Sequence, residues 1–286
     1  MKRALVFLAI TFGITYTYDF LVVYPIAQGT APYASEFLSP DLAYMVAVAL
    51  TMFFPALGVV LTRLVTREGF RNCVLKPRPW RQSLPWFAVA WFGPLLFVIA
   101  GAVVYFLAFP DDFDPNMTSF FAAQREAAAA SGADGATLAA VDASAANPPL
   151  FALILLGQCA IAPALNLITT FGEEWGWRGY LMPKLATRLS IVPTMLVTGI
   201  IWGLWHAPVV ALGHNYGTGY PGEPFGGIAA MCAWCTVLAI FLSYVTIRTG
   251  STFAAAMLWN MRRREKAGTL HIPEAGLPDG MRRSRR

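Results

Sequence analysis

The segment Phe171-Gly-Glu-Glu-Trp-Gly-Trp-Arg-Gly-Tyr-Leu-Met-Pro183 sets two carboxylates side by side at the edge of an apolar run, with an arginine close behind. Carboxylates are costly to desolvate in such a place, so they call for a partner or a use. Glu174 and Arg178 are four residues apart, share one face of a helix and can pair there. Glu173 projects about 100° away and is free to face a cavity. One carboxylate held by a cation, beside another left to act as a base, is an arrangement that can activate water. The same spacing also suits a plain ion pair at a helix end, and charge spacing alone does not choose between them.

A second segment, Thr198-Gly-Ile-Ile-Trp-Gly-Leu-Trp-His-Ala-Pro208, places His206 inside a hydrophobic run with Trp202 four residues earlier on the same face. A lone buried histidine is more often a satisfied core residue. An ionisable residue within a membrane span is a functional candidate by default, and this one accompanies the Glu173-Glu174 pair. His214 and His271 fall in a loop and in the tail and carry no assignment. Cys232 and Cys235 form a C-x-x-C inside the apolar run Ile228–Val245, with no second cysteine pair nearby, and read as small packing residues of a helix.

These residues must be positioned by membrane helices. The chain is 57% hydrophobic and only 13% charged, with a mean hydropathy of +0.54, against about 25% charge in soluble domains. A hydrocarbon core of about 30 Å requires about 20 apolar residues per span. Six candidate spans follow: Ala4–Tyr24, Leu42–Leu64, Pro85–Phe109, Leu150–Thr170, Ile191–Leu212 and Gly227–Ile247. Asp19 lies within the first, near its outer end. The apolar stretch after Met1-Lys2-Arg3 is long for a signal peptide and reads as a spanning helix. The fold class is therefore all-α, a polytopic transmembrane helix bundle in the cell membrane.

Positive residues orient it. Lys2 and Arg3, the Arg63–Arg81 loop, Arg178–Arg188 and Arg248 all fall on one side, read as cytoplasmic, which places the N-terminus in the cytoplasm. The loop Pro110–Pro149 carries Asp111, Asp112, Asp114, Glu126, Asp134 and Asp142 against Arg125 alone, and reads as extracytoplasmic. Its Ala-rich stretch, Ala122–Ala146, is open to either a surface helix or a mobile segment. The net charge of +5 belongs to the tail: residues 262–286 hold 8 basic and 3 acidic residues, leaving 13 of each in 1–261. The basic balance thus gives no reason to expect nucleic acid as a partner. The partners expected are the lipid bilayer and a membrane-associated peptide or protein.

Glu173-Glu174-x-x-x-Arg178, with Trp202-x-x-x-His206 and Arg248-Thr-Gly-Ser251, resembles the motifs of the CPBP family, the CAAX prenyl protease-like intramembrane proteases and bacteriocin-processing enzymes, in a form that looks bacterial. The family is described as intramembrane metalloproteases or glutamic proteases. The second motif usually reads F-x-x-x-H, and here Trp202 stands for the Phe. The resemblance covers about Leu150–Ser251. It implies that Glu173 is the base that activates water, that His206 positions or polarises that water, and that Glu174 and Arg178 hold the site together, near the cytoplasmic face. It implies no cofactor. The mechanism calls for no metal, and one internal His with two carboxylates lacks the spacing of a zinc motif. The division expected is 1–149 as N-terminal transmembrane helices with the Ala-rich loop, 150–260 as the protease core and 261–286 as a disordered basic tail.

The family's last motif, H-x-x-x-N, supplies a second His and an Asn that stabilises the oxyanion. Here the chain reads Ser251-Thr-Phe-Ala-Ala-Ala-Met-Leu-Trp-Asn-Met-Arg262. If Asn260 is the family Asn, the His position holds Ala256. An alignment set on Gly250-Ser251 puts it near Trp259. The final family helix is also missing by this reading. A frame change near residue 257 permits Leu-Glu-His-Ala after Met257, but it places a codon that does not encode Asn four positions beyond the His. A frame change, a truncation and an inactive homologue all stay open. The function read is an intramembrane endopeptidase. The alternatives are a catalytically impaired scaffold or bacteriocin-immunity-type homologue of the same fold, and a transporter, for which repeat symmetry is lacking.

Overall fold

The computed structural model describes residues 1–31, 39–71, 73–75, 80–130 and 132–256, and among them the only regular elements are helices. In chain order these include α1 (Lys2–Tyr18), α2 (Tyr24–Ala27), α3 (Pro40–Thr51), α4 (Phe54–Val65) and α5 (Trp80–Ala108). They continue with α6 (Thr118–Ala130), α7 (Gly135–Ala145), α8 (Pro148–Gly176), α9 (Met182–Leu185), α10 (Ile191–Trp205), α11 (Ala207–Ala211), α12 (Phe225–Thr249) and α13 (Thr252–Ala256). Asn260 and the basic tail lie outside the described residues.

Among the described residues, three helical stretches are long and apolar enough to cross a membrane: Lys2–Ala27, Leu42–Val65 and Phe225–Thr249. Two bent pairs, Ser83–Gly93 with Leu95–Ala108 and Gly135–Ala145 with Pro148–Ala162, raise that to five if each counts as one span. By length and composition the described residues thus give three to five of the six spans expected. The fifth differs most: α10 has 15 residues and ends at Trp205, His206 caps it, and α11 restarts with Pro208 in its first turn. Proline lacks the N–H that would continue the α10 ladder, so the helix breaks there.

Proline shapes two further places. Asp19–Val23 and Trp177–Leu181 are π turns, in which the N–H of Tyr24 bonds to the carbonyl of Asp19 and that of Met182 to Trp177. Each is followed by a helix with proline in its first turn, Pro25 and Pro183. A proline ring clashes with the carbonyl four residues back, and widening the turn relieves it.

The helices fall into two compact units, one formed by Met1–Trp91 with the chain from Asn166 onward, the other by Phe92–Leu165. In the second, the Ala-rich stretch is helical as α6 and α7, with Arg125 paired to Asp142 at 2.8 Å and Phe121 packed on Phe151. Asp134 caps α7 by accepting from the backbone N–H of Thr137.

The first unit holds the main core, around Phe7, Trp177, Tyr180, Trp202 and Trp205. Phe7 meets Trp177 edge-on at 5.9 Å, and Trp177 meets Trp205 at 5.7 Å. Lipid is as apolar as a leucine side chain, so helix association here depends on close packing rather than on escape from water. Gly199 and Gly203 of α10 supply it against α12: a Cβ on Gly203 would stand 2.8 Å from the backbone nitrogen of Cys232. Cys232 and Cys235 are free thiols, and Cys232 lies at this contact. Gly172 of α8 does the same against the chain between α3 and α4, where a Cβ would meet the carbonyl oxygen of Met52 at 2.5 Å.

One end of this unit is fastened by charge. Glu68 pairs with Lys184, accepts from the Tyr180 hydroxyl at 2.7 Å and lies 3.9 Å from Arg3. Burial alone would push its carboxyl up, but the hydrogen bonds and charges of Lys184, Tyr180 and Arg63 outweigh it and hold Glu68 below the usual carboxylate range.

Candidate active site

The last turn of α8 carries Glu173 and Glu174, and the π turn that follows carries Arg178. Arg178 Nη1 donates to Glu174 Oε1 at 2.7 Å, and both side chains are fully buried. The pair is single-pronged: Glu174 Oε2 and Arg178 Nε and Nη2 have no hydrogen-bond partner among the described residues. Arg178 instead lays its guanidinium over the ring of Trp202, 4.3 Å from the centroid. A cation over an indole face gains from the ring's quadrupole, more so when desolvated.

Trp202, on α10, makes two more contacts. Its indole Nε1–H donates to Glu173 Oε2 at 2.7 Å. Its backbone carbonyl lies 2.9 Å from His206 Nδ1. A carbonyl oxygen only accepts, so Nδ1 carries a proton, and in the neutral ring Nε2 then presents a lone pair. One residue thus bears on Arg178 through its face, on Glu173 through its N–H and on His206 through its main chain.

Glu173 and His206 line one cavity of about 290 Å³. Its other walls come from α1 and its π turn (Thr15, Asp19), α3 and the turn after it (Val48, Thr51, Met52), and from Trp205, Val209, His214 and Asn215. Trp205 Nε1 donates to Thr15 Oγ1 at 2.8 Å and the Tyr16 hydroxyl to the Leu204 carbonyl at 2.7 Å, fixing α1 against α10. Burial lowers the pKa of His214 from the usual imidazole range. Among the described residues, no three His, Cys, Asp or Glu side chains are grouped to hold a metal ion.

Four of the five residues singled out in the sequence therefore meet: Glu173 and His206 at the cavity, Glu174 and Arg178 behind it. Asn260, the fifth, lies outside the described residues. Ala256, the His position if Asn260 is taken as the family Asn, is buried, and its carbonyl accepts from the Thr170 hydroxyl at 3.0 Å, one turn before Glu173. The resemblance implied a site near the face of Arg178–Arg188. The cavity extends from Glu173 toward His214 and Asn215, beyond α11. From Arg3, in the Glu68 cluster, to Asp19 the helix rises about 24 Å. Asp19 and His214 were visible in the sequence but unassigned. Only an acidic residue inside an apolar span hinted at the first.

Residues 150–261 match the family model of the type II CAAX prenyl endopeptidase Rce1-like proteins. Through this segment the chain is similar to the CAAX protease-like family. It is also similar to CAAX prenyl protease 2 of Methanococcus maripaludis, with 42% identity over 52 residues, 18% of this chain and 19% of that protein. The match thus spans about a fifth of the relative's length. No solved structure matches.

Proposed function

We propose that this chain is an intramembrane endopeptidase that cleaves a membrane-associated peptide or protein with water activated by Glu173. The observation that carries the reading is the double hold of Trp202, on Glu173 by its indole N–H and on His206 by its carbonyl, at one cavity. Water held between Glu173 and the Nε2 lone pair of His206 would give one proton to each acceptor as hydrogen bonds. Glu173 then removes its proton, and the oxygen adds to the scissile carbonyl carbon. As the C–N bond breaks, Glu173 returns the proton to the leaving amine. Glu174 and Arg178 take no proton in this scheme. They neutralise each other and present the guanidinium to Trp202, which fixes the indole that aims Glu173.

The match to CAAX prenyl endopeptidases supports the reaction class. The competing reading, a non-catalytic scaffold or bacteriocin-immunity-type homologue, draws on the altered last motif at Ala256. Cleavage of a quenched fluorescent membrane peptide by the purified full chain, with Glu173→Gln as comparison, separates the two. Turnover lost in the variant supports the endopeptidase, and absence of turnover from both supports the scaffold.

A further inference from the structure

Asp19 stands where a carboxylate is hard to justify structurally. It sits in the first membrane-spanning helix and its side chain lines the cavity with Glu173 and His206, yet it is only 2% exposed. Its Oδ1 has no hydrogen-bond partner among the described residues. Buried carboxylates ordinarily have a cation or several donors, because desolvation costs several kcal/mol otherwise. Among the described residues lining this cavity there is no Lys or Arg. Arg178 is engaged with Glu174, and Arg3 and Lys184 with Glu68 at the other end of α1. The helix is also widened at this residue, since Asp19 opens a π turn, a distortion found disproportionately at functional sites.

The surroundings narrow the chemistry of what is missing. Thr51 spends its hydroxyl proton on the Val48 carbonyl at 2.6 Å, leaving its oxygen as an acceptor toward the cavity. Asn215 adds an amide, whose oxygen accepts and whose NH2 donates, and Val48, Met52 and Val209 line the apolar wall. A carboxylate with neutral acceptors beside it, next to an apolar wall, suits a group that brings several N–H donors on an aliphatic stem.

We propose that Asp19 forms a second subsite of the cavity, which binds a primary ammonium group of the peptide whose cleavage is assigned to Glu173. This rests on the endopeptidase reading for its placement beside the scissile bond, but the binding itself does not require turnover. The ammonium comes from a lysine side chain or from a free peptide N-terminus, and both present the same three donors.

The test uses the purified full chain in lipid nanodiscs and three fluorescent peptides with the same apolar sequence. One is N-acetylated with a central lysine, one is N-acetylated with norleucine there, and one carries norleucine with a free N-terminus. Binding is read by anisotropy for the native chain and for Asp19→Asn, with Asp19→Ser as a second variant in case the first unfolds. A charge-assisted hydrogen bond predicts that at least one ammonium-bearing peptide binds about tenfold more tightly than acetylated norleucine. The preference should vanish in the Asp19 variants. Which of the two ammonium peptides gains identifies the source. Equal binding of all three by the native chain, or a preference that persists in the variants, overturns the proposal. Cleavage measured in the same samples bears on the endopeptidase reading separately: discrimination without turnover would leave the subsite standing and remove the protease.

Discussion

Trp202 donates its indole N–H to Glu173 across the helix interface at 2.7 Å, while the guanidinium of Arg178 rests on the same ring. Phenylalanine, the usual residue of this motif, would keep the ring and the backbone carbonyl but offer no donor. Trp202→Phe should therefore lower kcat by about tenfold, the worth of one hydrogen bond to a charged group, with KM little changed and melting temperature nearly kept. Loss confined to KM would place Trp202 in substrate binding instead.

Arg178→Ala should cost stability before it costs chemistry. It leaves Glu174 buried and unpaired, which typically destabilises by about 3–5 kcal/mol. The double variant Glu174→Gln with Arg178→Gln removes both charges and should recover part of that loss. Thermal unfolding in detergent checks it. A single variant as stable as the native chain would mean that water reaches Glu174.

The Glu68 cluster gives a pH dependence. Its folded pKa lies below the unfolded value of about 4.3, because the pull of Lys184, Tyr180 and Arg63 exceeds the cost of burial. Its contribution is fully present above the unfolded value and is lost as pH falls through the folded one. The melting temperature of the native chain should exceed that of Glu68→Gln at pH 7, by about 2–4 °C for each 1 kcal/mol. The gap should close below about pH 4. A gap unchanged down to pH 3 would refute the linkage.

Gly203→Val forces a branched side chain against the backbone of Cys232, where even a Cβ would stand at 2.8 Å. Overpacking of this kind costs about 1–3 kcal/mol. Unfolding should be easier, whereas Cys232→Ala should be nearly neutral, because Cys232 serves as a small packing residue. A large loss from Cys232→Ala would contradict that.

Orientation rests on the distribution of Lys and Arg. Reporter fusions at residue 130 should behave as extracytoplasmic and at residue 75 as cytoplasmic. The reverse at both would invert the map.

Local chemistry was legible in the sequence, and long-range chemistry was not. The Glu174–Arg178 pair and the Trp202–His206 link both join residues four apart, a distance helix geometry fixes without tertiary information. The helical membrane class followed from apolar runs in the same way. The Trp202–Glu173 bond joins α10 to α8, and no spacing rule predicts it. Asp19 was readable only as an odd acid in a span, because its place at the cavity depends on α1 packing against α10 and on a π turn. Pro25 and Pro183 were visible, but whether a proline ends, kinks or widens a helix is decided by its neighbours. The fifth span was read too long because hydropathy does not register the break at His206, where every flanking residue is apolar.

The most direct test of the account is turnover by the Glu173→Gln chain. The substitution keeps the size of the side chain and an acceptor for Trp202 but removes the base. The native chain should cleave a quenched membrane peptide. Glu173→Gln, with an unchanged melting profile, should be slower by about 10²–10⁴. Equal turnover by the two proteins would contradict the assignment of Glu173 as the group that activates water.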